Sequence, residues 1–181
     1  MIESIKIFAL SSSNLGSLVA GLLVFFISGF IVFLIKEKLK KPPSLSGVFY
    51  LKTTTENSAM KTYEGLSSIF ILTLINESAT KAIGKIEKIY DIEKNGFHRS
   101  YIGKDRNTGD VLLTVERYYL GRNRINIHIS LNGDANGMQR PSSLVVALNR
   151  AKLKTKGIFT TTAADAKGIA VFQNEEFQDK K

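Results

Sequence analysis

The chain has 181 residues, with 25 Lys and Arg against 16 Asp and Glu, a net charge of +9, two His and no Cys. Its length allows one domain of ordinary size plus an appendage. Without cysteine there is no disulfide, thiolate metal ligand, cysteine nucleophile or lipoprotein attachment, and the basic surplus points to an anionic partner: lipid headgroup, nucleotide or nucleic acid.

Residues 1–14 form a short segment of mixed polarity, in which Ile2, Ile5, Phe8 and Ala9 would share one side of an interfacial helix. From Leu15 to Ile35 no residue is charged. At 1.5 Å rise per residue this run is about 30 Å long, the thickness of a hydrocarbon core, and is expected to be a single transmembrane helix. A cleaved signal peptide has a shorter apolar core followed by small residues; here Lys36, Lys38, Lys40 and Lys41 follow. Basic flanks stay on the cytoplasmic side, so these lysines predict a single-pass membrane protein whose large C-terminal domain is cytoplasmic. Residues 36–43 read as a basic linker, ended by Pro42 and Pro43, which favour extended backbone.

From Ser44 the pattern changes to short β-rich runs, and residues 44–178 are expected to form a β-barrel domain. Strands are predicted near 47–53, 68–76, 82–90, 97–103, 110–119, 123–132, 142–153 and 156–174, the last folded into a hairpin at Asp165. The clearest alternation sets Ile125, Ile127, Ile129 and Leu131 against Asn126, His128, Ser130 and Asn132, a strand with one dry and one wet face. Turn signals such as Lys94-Asn95-Gly96 and Asn132-Gly133-Asp134 separate the runs. Short connections, and the need to protect sheet edges, favour closure over a sandwich. The fold class is mainly β: one N-terminal transmembrane α-helix, then a small antiparallel up-and-down β-barrel.

Catalytic signatures are missing. His98 and His128 lie on different strands without ligand spacing, no phosphate-cradling glycine loop or nucleophile elbow is present, and the acidic residues are scattered singly. No enzyme, metal or cofactor is expected. Two features suit binding instead. Arg117 shares the apolar face of Val111, Leu113, Val115 and Tyr119, and Arg99 is flanked at two-residue spacing by Phe97 and Tyr101. Pointing inward, Arg99, Tyr101, Arg117 and Tyr119 would line one cavity, where guanidinium grips phosphate and an aromatic ring stacks on a base; the competing reading has Arg117 reaching out over the rim. Arg150, Lys152, Lys154 and Lys156 would form a basic ladder on one strand face, either simply solvated or in contact with anionic lipid.

Leu45-Ser46-Gly47-Val48-Phe49 looks like the start of a first barrel strand, Tyr63-Glu64-Gly65 like the turn that follows, and Gly168-Ile169-Ala170-Val171-Phe172 like a closing strand. With the anchor before them, the whole chain resembles in layout the transmembrane β-barrel effectors of bacterial cyclic-oligonucleotide antiphage systems, two-transmembrane, β-strand-rich proteins with a lipocalin-like barrel. The resemblance implies a barrel that senses a cyclic dinucleotide made by a partner nucleotidyltransferase. It further implies membrane helices that self-associate among inner-membrane lipids and disrupt the membrane, causing cell death or growth arrest, with neither DNA nor RNA as partner. The chain departs from that pattern in having one span where the family has two, so residues 1–13 would add an interfacial piece or several copies would build the membrane-active unit. No binding residue carries over by motif. Two other classes stand beside this one: a membrane-tethered module for a small ligand, and a structural subunit of an envelope complex.

Overall fold

The computed structural model describes Glu3, Ile7 and residues 12–39, 42–118, 121–134, 136–137 and 139–177, with backbone alone at 12–13 and 37–39. The chain divides into two compact units, residues 1–41 and 42–181.

The first unit contains one long helix, α1 (Ser12–Leu39). Its stretch Asn14–Lys36 is long and apolar enough to cross a membrane, and none of it is buried. Leu22, Leu23, Val24 and Phe25, which follow one another at about 100° steps around the axis, all stand exposed, so no polar face is left to give to water, unlike the surface helix of a soluble protein. The helix outruns its apolar part through Lys36–Leu39. Lys, Glu and Leu are good helix formers, and cations near a helix C-terminus meet the negative end of its dipole. Part of the expected linker is therefore the last helical turn. Lys40, Lys41 and most of residues 1–14 lie outside the described residues, as does the side chain of Lys38.

The second unit is a single antiparallel sheet of β1 (Gly47–Asn57), β2 (Ser67–Ser78), β3 (Lys81–Ile92), β4 (His98–Ser100), β5 (Thr108–Glu116), β6 (Arg124–Leu131), β7 (Ser142–Leu148), β8 (Thr155–Thr161) and β9 (Ala166–Gln173). Neighbours follow chain order, and pairing of β1 with β9 closes the sheet into an eight-strand, lipocalin-like up-and-down barrel. The count is eight because β4 and β5 are one strand in two pieces. Both pair with β3, β4 with residues 90–92 and β5 with residues 81–87. Between them the Tyr101 amide donates to the Ile89 carbonyl at 2.8 Å and the Lys88 amide to the Asn107 carbonyl at 2.9 Å. Residues 102–106 consequently loop out as a wide bulge. The sequence pattern predicts two separate strands here; the structure makes them one interrupted strand.

Eight strands enclose an interior just wide enough for side chains to fill, and this one is filled. Leu51, Leu72, Ile86, Leu113, Ile127 and Val146 are fully buried. Phe172 of β9 stacks on Phe49 of β1 with ring centroids 4.9 Å apart. The predicted dry face of β6, Ile125, Ile127, Ile129 and Leu131, is buried throughout. At Gly157 an added Cβ would lie 2.0 Å from the Ala147 carbonyl oxygen, so the close strand approach there requires glycine.

The registers define two ends. The near end holds the start of β1, the two-residue β2–β3 turn, the β5–β6 and β7–β8 connections and the exit of β9; the far end holds the other turns.

Candidate functional site

The densest polar cluster lies toward the far end, where β3 meets the β4 hairpin. Asp91 is 7% exposed, yet its carboxylate is fully engaged. Ser68 Oγ donates to Oδ1 at 2.5 Å, Tyr101 Oη donates to Oδ2 at 2.7 Å, and Lys88 Nζ lies 2.7 Å from Oδ2. Lys88 Nζ also sits 5.2 Å from the centroid of the Tyr101 ring. Arg106, on the bulge, donates from Nε to the Tyr101 carbonyl and pairs through Nη1 with Glu87 at 2.7 Å. Burial, and then the hydrogen bond to Asp91, push the Tyr101 hydroxyl above the ordinary phenol range. Among the described residues no buried side-chain nitrogen or oxygen lacks a partner. A network so fully satisfied positions a hairpin rather than leaving a group free for chemistry.

Arg99 stands on this hairpin with its side chain 62% exposed, Nη2 3.9 Å from Glu93 Oε1. Arg117 is also exposed, just beyond the end of β5 at the near end. About 30 Å of β3 lies between the register position of Arg99, opposite Asp91, and that of Thr114, opposite Lys81. The expectation that Arg99, Tyr101, Arg117 and Tyr119 line one interior is therefore corrected for the two arginines. All three residues of the short β4 are exposed, and β5 stops at Glu116, so neither guanidinium enters the apolar core. Tyr101 is half-buried in the Asp91 network, and Tyr119 lies outside the described residues. No protein-family model and no curated protein matches the chain.

Sequence reasoning missed Asp91 because a lone carboxylate near a turn reads as solvated. The available signal was its place in the hairpin: Lys88 three residues before it, and Arg99 opposite it across the Lys94-Asn95-Gly96 turn. The basic ladder is also corrected. β7 ends at Leu148 and β8 begins at Thr155, so Arg150, Lys152 and Lys154 stand on a connecting loop, with Lys156 alone on a strand. Among the described residues no group of three or more His, Asp or Glu side chains is arranged to hold a metal.

Proposed function

We propose that the chain is a membrane-anchored antiphage effector, in which the barrel receives a cyclic dinucleotide and the ligand controls self-association of the helices. The observation that carries this reading is the division of labour: a helix apolar on every face, joined to a barrel that is closed and has its own core. Such a barrel needs nothing from the helix to fold, which leaves the helix free to find other copies. Gly16, Gly21 and Gly29 give it places for close backbone approach.

The filled interior moves the ligand to the surface, and the far-end rim suits it best. There Phe97 is exposed beside Arg99, and Asp91 and Tyr101 hold their hairpin in place. In titration calorimetry of the parent with a panel of cyclic dinucleotides, Arg99→Ala should weaken binding by about 1.5–3 kcal/mol, roughly ten- to a hundredfold. Arg117→Ala, at the other end, should leave affinity unchanged. No binding by the parent, or equal binding by Arg99→Ala, would remove this ligand assignment.

The basic flank beginning at Lys36 supports a periplasmic N-terminus and a cytoplasmic barrel. Protease added to spheroplasts should spare the region after Lys41; its digestion from outside would reverse the orientation.

A structural subunit is the second reading. It draws on an exposed apolar row across three outer strands, where Ile75 faces Ile83 and Ile83 faces Leu112. A carrier holding a lipophilic molecule inside the barrel is disfavoured by the packed core.

A further inference from the structure

The basic charge of the barrel is concentrated at the near end. The β5–β6 connection and the start of β6 bring Arg117, Arg122 and Arg124; the β7–β8 loop and the start of β8 bring Arg150, Lys152, Lys154 and Lys156. The two loops are tied together, since the Ala151 amide donates to the Asn123 carbonyl at 2.7 Å. Against these seven cations stand, among the described residues, four acids at this end, Glu77, Glu116 and, just past β9, Glu175 and Glu176, and the first two are occupied. Glu77 pairs with Lys81 at 2.6 Å, and Glu116 accepts from Tyr118 Oη at 2.7 Å and Asn126 Nδ2 at 2.6 Å. Arg122, Arg150, Lys152, Lys154 and Lys156 make no ion pair among the described residues. The far-end loops differ, mixing their cations with Glu64, Glu93, Asp105, Asp134 and Asp165.

Each basic loop also exposes an apolar or aromatic side chain. Leu153 stands 38% exposed between Lys152 and Lys154. Tyr118 is 41% exposed, with the Arg124 guanidinium 5.5 Å from its ring centroid. An apolar tip between lysines and a tyrosine beside arginine are side chains that partition into a headgroup layer, the body in the interface and the charge at phosphate. The chain itself enters the barrel at this end. Seven residues separate Leu39 from Gly47, a tether that spans at most about 30 Å when extended.

We infer that the near-end loops, centred on Arg150, Lys152, Leu153 and Lys154, are a docking surface for anionic phospholipid headgroups, through which the barrel reversibly lies down on the bilayer that its helix crosses. This rests on the anchoring proposed above. A free nucleotide fits these loops less well, because Arg150, Lys152, Lys154 and Lys156 line an open cavity with Asn149, Thr155 and Val171 that offers no aromatic ring to stack a base, whereas a membrane presents many phosphates in a plane. Each cation near an anionic surface contributes about 1 kcal/mol, a factor of about five. Four together shift the docked-to-undocked ratio by on the order of a hundredfold or more.

The test uses the full chain in lipid nanodiscs. With no native cysteine, Asn149→Cys places one fluorophore at the near end and Ala163→Cys one at the far end, and spin-labelled headgroups quench whichever lies on the lipid. The Asn149 reporter should be quenched in discs rich in phosphatidylglycerol. That quenching should fall in pure phosphatidylcholine, in high salt, and when Arg150, Lys152, Lys154 and Lys156 are together changed to Gln; the Ala163 reporter should stay bright throughout. An alkaline wash separates the two claims. A chain that survives it but quenches equally in neutral and anionic discs, or keeps its quenching after the four substitutions, retains the anchor and overturns the docking. Release by the wash overturns the anchor and the docking with it. If the full chain in neutral discs binds a labelled oligonucleotide, the four substitutions abolish that binding, and lipid charge has no effect, the loops belong to nucleic acid and the inference fails.

Discussion

Phe172→Ala should lower the unfolding free energy of the barrel by about 3–5 kcal/mol, the range for removing a fully buried aromatic side chain. Phe172 is completely buried, and its stacking partner Phe49 lies on β1, across the pairing that closes the sheet. The substitution leaves a ring-sized cavity at the seam where first and last strands meet. If the seam parts, two edges become free to pair with other chains, so aggregation on heating should accompany the loss. The measurement is denaturant unfolding of residues 44–181, whose closed sheet and core lie wholly beyond Pro43. Ile158→Ala, on the outer face of β8 where the side chain is 63% exposed, should stay within about 0.5 kcal/mol of the parent. Equal effects of the two changes would mean that the packing assigned to the interior is wrong.

The alternation of β6 and the paired prolines were legible because each is a local signal. Ile125 to Leu131 repeat with the period of a strand, and Pro42 cannot continue a helix. Closure was legible less directly, from short connections and the absence of any other protection for the edges. What failed was long-range geometry. The period-two spacing of Phe97, Arg99 and Tyr101 is real, but β4 has only three residues before the chain bulges at 102–106, and alternation says nothing about where a strand is interrupted. Charges at Arg150, Lys152 and Lys154 alternate in the same way on a loop, where side chains are not bound to two faces. Asp91 had only its place in the hairpin, between Lys88 and Arg99, as a signal; Ser68, Lys88 and Tyr101 surround it only once three strands have paired.

Asp91→Ala should cost about 3–5 kcal/mol, because it breaks a largely buried charge pair and leaves the other member uncompensated. Its carboxylate takes Ser68, Tyr101 and Lys88 at once, and the Lys88 side chain is only 14% exposed. Water cannot easily replace the lost partner there, so the β4 hairpin and the bulge that follows should loosen. Hydrogen exchange should quicken at the amides of Tyr101 and Lys88, whose hydrogen bonds flank the bulge. Asp91→Asn keeps the shape and one acceptor and should cost less. Tyr101→Phe isolates a third part of the network, losing one hydrogen bond worth about 1 kcal/mol and also a pH dependence whose sign is fixed. The hydroxyl titrates higher in the folded chain than in the unfolded one, so the folded state holds its proton more tightly. That stabilisation is complete below the unfolded phenol value of about 10 and is lost as pH rises through the folded one. Melting temperature should therefore fall more steeply above about pH 10 for the parent than for Tyr101→Phe, the difference between the two proteins removing what lysine titration contributes to both. Parallel curves would mean that the Tyr101 hydroxyl is solvated, and an Asp91→Ala barrel as stable as the parent would mean that Lys88 reaches solvent on its own.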